Sequence, residues 1–102
     1  YLLKVPSYHS VTLDRIKKYE AAGASGVFVP FISEINAIKE ITSSVSLPVN
    51  ILSMPGLPSF DELAKAGVHR ISLGSSLFRA AYRHTETIIQ KVNEEQSVKS
   101  LF

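Results

Sequence analysis

The chain has 102 residues, 45% of them hydrophobic and 20% charged, and its 11 Lys and Arg against 9 Asp and Glu give a formal charge of +2. That length allows one domain at most, and the composition is that of a globular chain able to build a core. So small and scattered a basic excess gives no footing for nucleic acid, the lack of cysteine rules out disulfides and thiolate metal sites, and no apolar run approaches the ~20 residues of a membrane span.

Tyr1-Leu-Leu-Lys does not have the form of a signal peptide, so the reading is cytoplasmic. A first residue that is Tyr and not Met predicts that the native N-terminus lies elsewhere. In chain order, residues 12–23 read as a helix. Leu13, Ile16, Lys17, Tyr19 and Glu20 alternate apolar and charged faces at helical spacing, with Thr12 to cap the start and Gly23 to end it. Val27-Phe28-Val29 is a short apolar strand, expected over 27–30. Ser33 can cap a second helix whose Ile35, Ile38 and Ile41 face one way. A second strand is expected over 48–52. Ser59 and Glu62 form a capping box for a third helix that closes at Gly67. A third strand follows over 70–73. From Ser75 a long helix runs to about Glu95, with Leu77, Ala81, Ile88 and Val92 on its inner side. The tail 96–102 shows no pattern and is expected to fray.

Two segments repeat. Glu20-Ala-Ala-Gly-Ala-Ser-Gly-Val-Phe-Val and Leu63-Ala-Lys-Ala-Gly-Val-His-Arg-Ile-Ser both run from helix end through Ala-Gly into strand. Strands starting about 22 residues apart match a βα step with short loops. Continuous apolar strands predict a parallel sheet buried on both faces, hence an α/β fold. A (βα)₈ barrel and a doubly wound sheet both satisfy that pattern, and no G-x-G-x-x-G follows a strand to favour the dinucleotide-binding option. Because a full barrel takes about 250 residues, residues 1–102 are expected to be a single partial domain.

Few residues here invite chemistry. Asn50 is a polar residue inside an apolar strand, where an unpaired amide costs about 1–3 kcal/mol. Either a ligand or a neighbouring loop backbone could satisfy it. Ser53 lies at a C-terminal strand end, where barrel active sites sit, although turn chemistry also explains it. Gly74-Ser75-Ser76 opens the last helix, where Ser75 could hold an anion or simply cap. Asp61 and Glu62 occupy a helix first turn favoured by the macrodipole and are poor catalysts. His9, His69 and His84 share no metal spacing and read as surface or capping residues, and Arg79 reads as an anchor. No catalytic or metal-binding set emerges.

The runs Lys18-Tyr-Glu-Ala-Ala-Gly-Ala-Ser-Gly-Val-Phe-Val-Pro30, Leu47-Pro-Val-Asn-Ile-Leu-Ser-Met-Pro-Gly-Leu-Pro-Ser59 and Glu62-Leu-Ala-Lys-Ala-Gly-Val-His-Arg-Ile-Ser-Leu-Gly74, continued by Phe78-Arg-Ala-Ala81, resemble the phosphoenolpyruvate mutase/isocitrate lyase superfamily. The likeness is to its phosphonomutase-like members of the carboxyvinyl-carboxyphosphonate phosphorylmutase type, and it covers residues 1 to about 95. Tyr1-Leu-Leu resembles the residues after the family's Ala-Arg-Thr-Asp strand end. The resemblance implies the C-terminal portion of a (βα)₈ TIM barrel, strands 6–8 with flanking helices. It also implies chemistry on a small carboxylate or 2-oxo acid, in which C–C or P–C bonds are made or broken through an enolate-like intermediate stabilised by Mg²⁺. The family's metal-binding acids, catalytic loop and substrate Arg correspond to upstream positions, so this chain is expected to hold no Mg²⁺ ligand and to be inactive alone. Asn50 resembles the family's substrate-contacting strand amide, with Ser53 and Ser75 as further substrate-binding candidates.

Three positions depart from the pattern. Phe31 stands where related sequences usually have Gly, and Pro30 where several lyases have Glu. Ser75 stands where decarboxylases can carry His, which disfavours that subtype. The expected function is therefore the C-terminal segment of a Mg²⁺-dependent phosphonomutase-like or 2-oxo-acid C–C lyase. The alternative is a non-catalytic partial-barrel module that dimerises through its last helix and open edges. A phosphate-binding biosynthetic barrel ranks third, because the loops after the last two strands are poor in Gly. A homo-oligomer is expected, with no nucleic-acid or membrane partner.

Overall fold

The computed structural model describes Tyr1 and residues 7–102, so Leu2 and Leu3 of the Tyr1-Leu-Leu stretch lie outside the described residues. The elements in order are α1 (Tyr8–Ala21), β1 (Val27–Val29), α2 (Ile35–Ser43), β2 (Val49–Leu52), α3 (Phe60–Lys65), β3 (Arg70–Ser72), α4 (Ser76–Glu95) and a 3-10 turn at Lys99–Leu101. They fall into two compact units, Tyr1–Ser72 and Leu73–Phe102.

The first unit is a three-stranded parallel sheet of order β1-β2-β3, as the repeated Ala-Gly-to-strand segments predict. Val27 pairs with Val49 and Val29 with Ile51, while Asn50 pairs with Arg70 and Leu52 with Ser72. Side chains alternate between faces along a strand, so Val27, Val29, Val49 and Ile51 point one way. They form the core with Ile16, Ile38, Ile41 and Leu63 of the three helices. Burying such side chains, at about 1.5–3 kcal/mol each, is what holds the helices on the sheet.

Helix boundaries depend on which side chain reaches the first-turn N–H groups. The start of α1 is Tyr8, not Thr12 as the spacing predicts. Thr12 lies within the helix and its hydroxyl donates to the Tyr8 carbonyl at 2.7 Å, the usual use of an in-helix Thr. The cap of α2 is Glu34, one residue beyond the expected Ser33, and its carboxylate accepts from Ala37 N–H at 2.7 Å and Asn36 N–H at 3.1 Å. A full negative charge at a helix N-terminus outcompetes a neutral hydroxyl there. The Ser59–Glu62 capping box of α3 forms as expected. Gly23 and Gly67 end their helices at φ +86° and +84°. A Cβ on Gly67 would also meet Thr42 Cβ at 3.1 Å, where the Thr42 hydroxyl bonds the Ala66 carbonyl.

Glu20, near the end of α1, accepts from the Ser46 hydroxyl at 2.6 Å and the Ser46 N–H at 2.7 Å. These bonds hold its carboxyl below the ordinary glutamate range. The Ala37 and Asn36 N–H groups do the same for Glu34, as do the hydroxyl and N–H of Ser59 for Glu62. A carboxylate with a depressed folded pKa stabilises the fold above its unfolded pKa, and that contribution is lost as pH falls through the folded value. Urea midpoints should therefore hold steady near neutrality and fall below about pH 4.5. Glu20→Gln should flatten that acid limb, and an unchanged limb would show that the Ser46 bonds do not persist in solution.

In the second unit, α4 runs 20 residues and ends at Gln96 in the left-handed region, φ +47°. None of its residues is buried. Of the expected inner stripe, Ile88 and Val92 are half-buried whereas Leu77 and Ala81 are exposed. Phe78 and Tyr82 stack with ring centroids 4.4 Å apart. Helical spacing correctly marks an apolar stripe, but this unit holds only the 3-10 turn beside α4, too little to cover it. The 3-10 turn also replaces part of the expected frayed tail.

Candidate functional site

The sheet face opposite the core carries Phe28, Asn50, Leu52, Arg70 and Ser72. Phe28, Asn50 and Arg70 form one row in register, and Leu52 and Ser72 lie in the next row towards the C-terminal strand ends. This face is open: Phe28 is 51% exposed, Arg70 is exposed, and Asn50, Leu52 and Ser72 are half-buried. The expectation of a sheet buried on both faces is thus not met in this unit. Three helices cover one side of three strands, and none is left for the other.

Asn50 is the chemical centre of the open face. Its Nδ2 donates to Ser72 Oγ at 2.9 Å, across the β2–β3 pair. Its Oδ1 is buried and has no hydrogen-bond partner. A buried acceptor left unpaired costs about 1–3 kcal/mol, which a donor placed against it would recover. Ser53 follows directly on β2, and its N–H donates to the Ser72 carbonyl at 2.8 Å. The structure thus brings two of the sequence candidates, Asn50 and Ser53, to one residue of β3.

Ser75 belongs to the second unit. It is exposed and precedes α4 at φ −90°, ψ 10°, and its side chain makes no capping bond. Only its carbonyl takes part, accepting from Arg79 N–H at 2.9 Å. Capping by the Ser75 hydroxyl is therefore corrected, because a cap side chain reaches N2 or N3 from extended backbone, which this residue lacks.

Sequence reasoning missed Ser72, Arg70 and Phe28. The available signal was that β3, Arg70-Ile71-Ser72, sets polar residues on either side of one apolar residue, which puts both on the face opposite the core. At the C-terminal end of β1, Phe31 has φ +64° and is 45% exposed. A Cβ there costs roughly 1–2 kcal/mol of backbone strain that Gly would avoid.

A groove of about 380 Å³ lies between α1 and the edge strand β1, lined by Tyr8, Val11, Arg15, Tyr19, Phe28 and Pro30 among others. Its guanidinium is engaged, since Arg15 donates to the Tyr19 hydroxyl at 3.0 Å. His9 links α1 to α2 through Nε2 and Glu40 Oε2, 2.6 Å apart, while Nδ1 bonds the Tyr1 hydroxyl. Burial pushes that hydroxyl up to about 12, so Tyr1 stays protonated across the neutral range. His69 Nδ1 faces the Val49 N–H at 3.4 Å. Both histidines thus tie elements together. Among the described residues no group of three or more His, Asp or Glu side chains converges to hold a metal. The described residues do not fit a Mg²⁺ site.

The phosphoenolpyruvate phosphomutase family model matches residues 1–93. An uncharacterised protein of Mycobacterium tuberculosis is 39% identical over 80 residues, 78% of this chain and 31% of that protein. Oxaloacetate decarboxylase of Marinomonas is 29% identical over 76 residues, 72% of this chain and 26% of that protein. Among solved structures, a protein assigned as a lyase/mutase from Burkholderia cenocepacia superposes with a TM-score of 0.85 at 31% identity, over 97% of this chain and 36% of its own. A second from the same organism, assigned as a phosphonomutase, gives 0.76 at 32% identity, over 87% of this chain and 38% of its own. The chain spans about a third of the length of the relatives it matches.

Proposed function

Because this chain belongs to the phosphoenolpyruvate phosphomutase family, we propose that it is the C-terminal segment, strands 6–8 with their helices, of a (βα)₈ lyase or phosphonomutase. Its substrate is a small carboxylate or 2-oxo acid, and a C–C or P–C bond is made or broken through an enolate-like intermediate. The observation that carries this reading is Asn50: a half-buried amide with a buried, unpaired Oδ1 on the open sheet face, one row below the C-terminal strand ends. A (βα)₈ enzyme builds its site at that end of the strands. Asn50 touches the substrate, with Ser53 at the end of the same strand; Ser75, in the loop after β3, stays a substrate-binding candidate from the sequence alone. Mg²⁺ is required and is held by residues other than those of this chain.

The chemistry to be stabilised is negative charge developing on an oxygen, and preorganised polar groups do this best where water is excluded. This chain supplies one wall of such a site and no acid or base for proton transfer. The 102-residue chain alone should therefore show no turnover. A complete barrel built on it, given Mg²⁺ and in turn oxaloacetate, phosphonopyruvate or 2-methylisocitrate, should process at least one. A folded barrel that turns over none of the three would overturn the reading.

A second reading, a non-catalytic module that self-associates through α4, is favoured by one observation: Leu77, Phe78 and Tyr82 are each more than 60% exposed on that helix. Activity separates it from the first, because both readings expect self-association whereas the module reading requires no turnover in any barrel.

A further inference from the structure

Among the described residues, Ser7, Phe31 and Gln96 are the non-glycine positions with positive φ. Ser7 and Gln96 adjoin helix ends, whereas Phe31, at φ +64°, lies in the link between β1 and α2. A bulky residue in that region is an outlier that its surroundings must impose. Both sides of this link are pinned: Val29 ends β1, Ile32 is 1% exposed in the core, and the Glu34 carboxylate caps α2. The ring gains little in return. Phe31 is 45% exposed and belongs neither to the core nor to the residues packed against it. Burial and turn chemistry therefore leave a phenylalanine here without a reason.

Its place in the fold supplies one. Val29 pairs with Ile51 in the parallel register, and two residues further on stand Phe31 after β1 and Ser53 after β2. Phe31 is thus at the C-terminal end of the sheet, one strand over from the strand that carries Asn50. We infer that Phe31 is a specificity-determining residue of the site: its ring narrows the mouth and selects compact substrates with two anionic groups over branched tricarboxylates. The inference rests on the reading of this chain as part of a lyase or phosphonomutase, and adds a limit on the size of its substrate. An aromatic ring offers a carboxylate no hydrogen bond, so a third carboxylate brought against it loses water without gaining a partner. A short link pinned on both sides keeps the ring in place.

The test measures kcat/KM of a complete barrel, with Mg²⁺, on oxaloacetate, phosphonopyruvate and 2-methylisocitrate. Phe31→Ala should raise kcat/KM on 2-methylisocitrate, relative to the better of the two smaller substrates, by roughly tenfold or more. Phe31→Trp, which keeps an apolar aromatic ring, should keep the wild-type preference. Phe31→Gly should relax the preference as Ala does. It should also raise the urea midpoint of the 102-residue chain above that of Phe31→Ala, because only Gly relieves the backbone. A preference unmoved by Phe31→Ala overturns the inference, even where stability changes, as does a wild-type barrel that prefers 2-methylisocitrate. A folded barrel that turns over none of the three overturns the parent reading and the inference with it, so activity on any one of them tells the two failures apart.

Discussion

Replacing Asn50 with Ala in a complete barrel should lower kcat/KM by roughly 5- to 150-fold while the melting temperature hardly moves. The kinetic loss follows from one ligand hydrogen bond made through a desolvated atom, worth about 1–3 kcal/mol, with each 1.36 kcal/mol a factor of ten. The small stability effect has a separate cause. The variant loses the Asn50–Ser72 bond but also removes an acceptor that is already buried without a partner. These two changes oppose each other, and water reaching the half-exposed face can serve the Ser72 hydroxyl. A purely structural Asn50 gives the opposite pattern, a lower melting temperature with kinetics nearly intact. Measuring both on the same variant decides between the two roles.

The second large effect concerns stability and contrasts the two faces of the sheet. Ile51 is 1% exposed in the central strand, and Ile51→Ala should cost about 2–5 kcal/mol. In a chain of this size that lowers the melting temperature by roughly 8–40 °C, at about 4–8 °C per kcal/mol. Phe28, a larger side chain one strand away, is 51% exposed. Phe28→Ala should therefore cost about 1 kcal/mol or less, far below the 3–5 kcal/mol of a core Phe. Urea titration of the two variants measures the difference directly. Equal costs would mean that the open face is covered in solution. In that case the dependence of the Phe28→Ala cost on protein concentration would show whether a second copy covers it.

What could be read from the sequence is what neighbours within about one helical turn decide. The αL glycines 23 and 67, the Ser59–Glu62 box and the apolar run Val27-Phe28-Val29 all act over a few residues, and each is found where expected. Competition at that same range explains the misses. Glu34 takes the cap from Ser33 by charge, and Thr12 bonds back into its own helix. Asn50 stood out because a lone amide in an apolar strand must find a partner. Which partner it finds, and which atom it leaves free, depends on a residue 22 positions away. Only the parallel register, with Asn50 opposite Arg70 and Leu52 opposite Ser72, brings that hydroxyl within reach. The openness of the sheet face is likewise tertiary. Strand hydrophobicity says that a side chain can be buried, but burial requires an element on that side to bury it, and in this unit all three helices lie on the other.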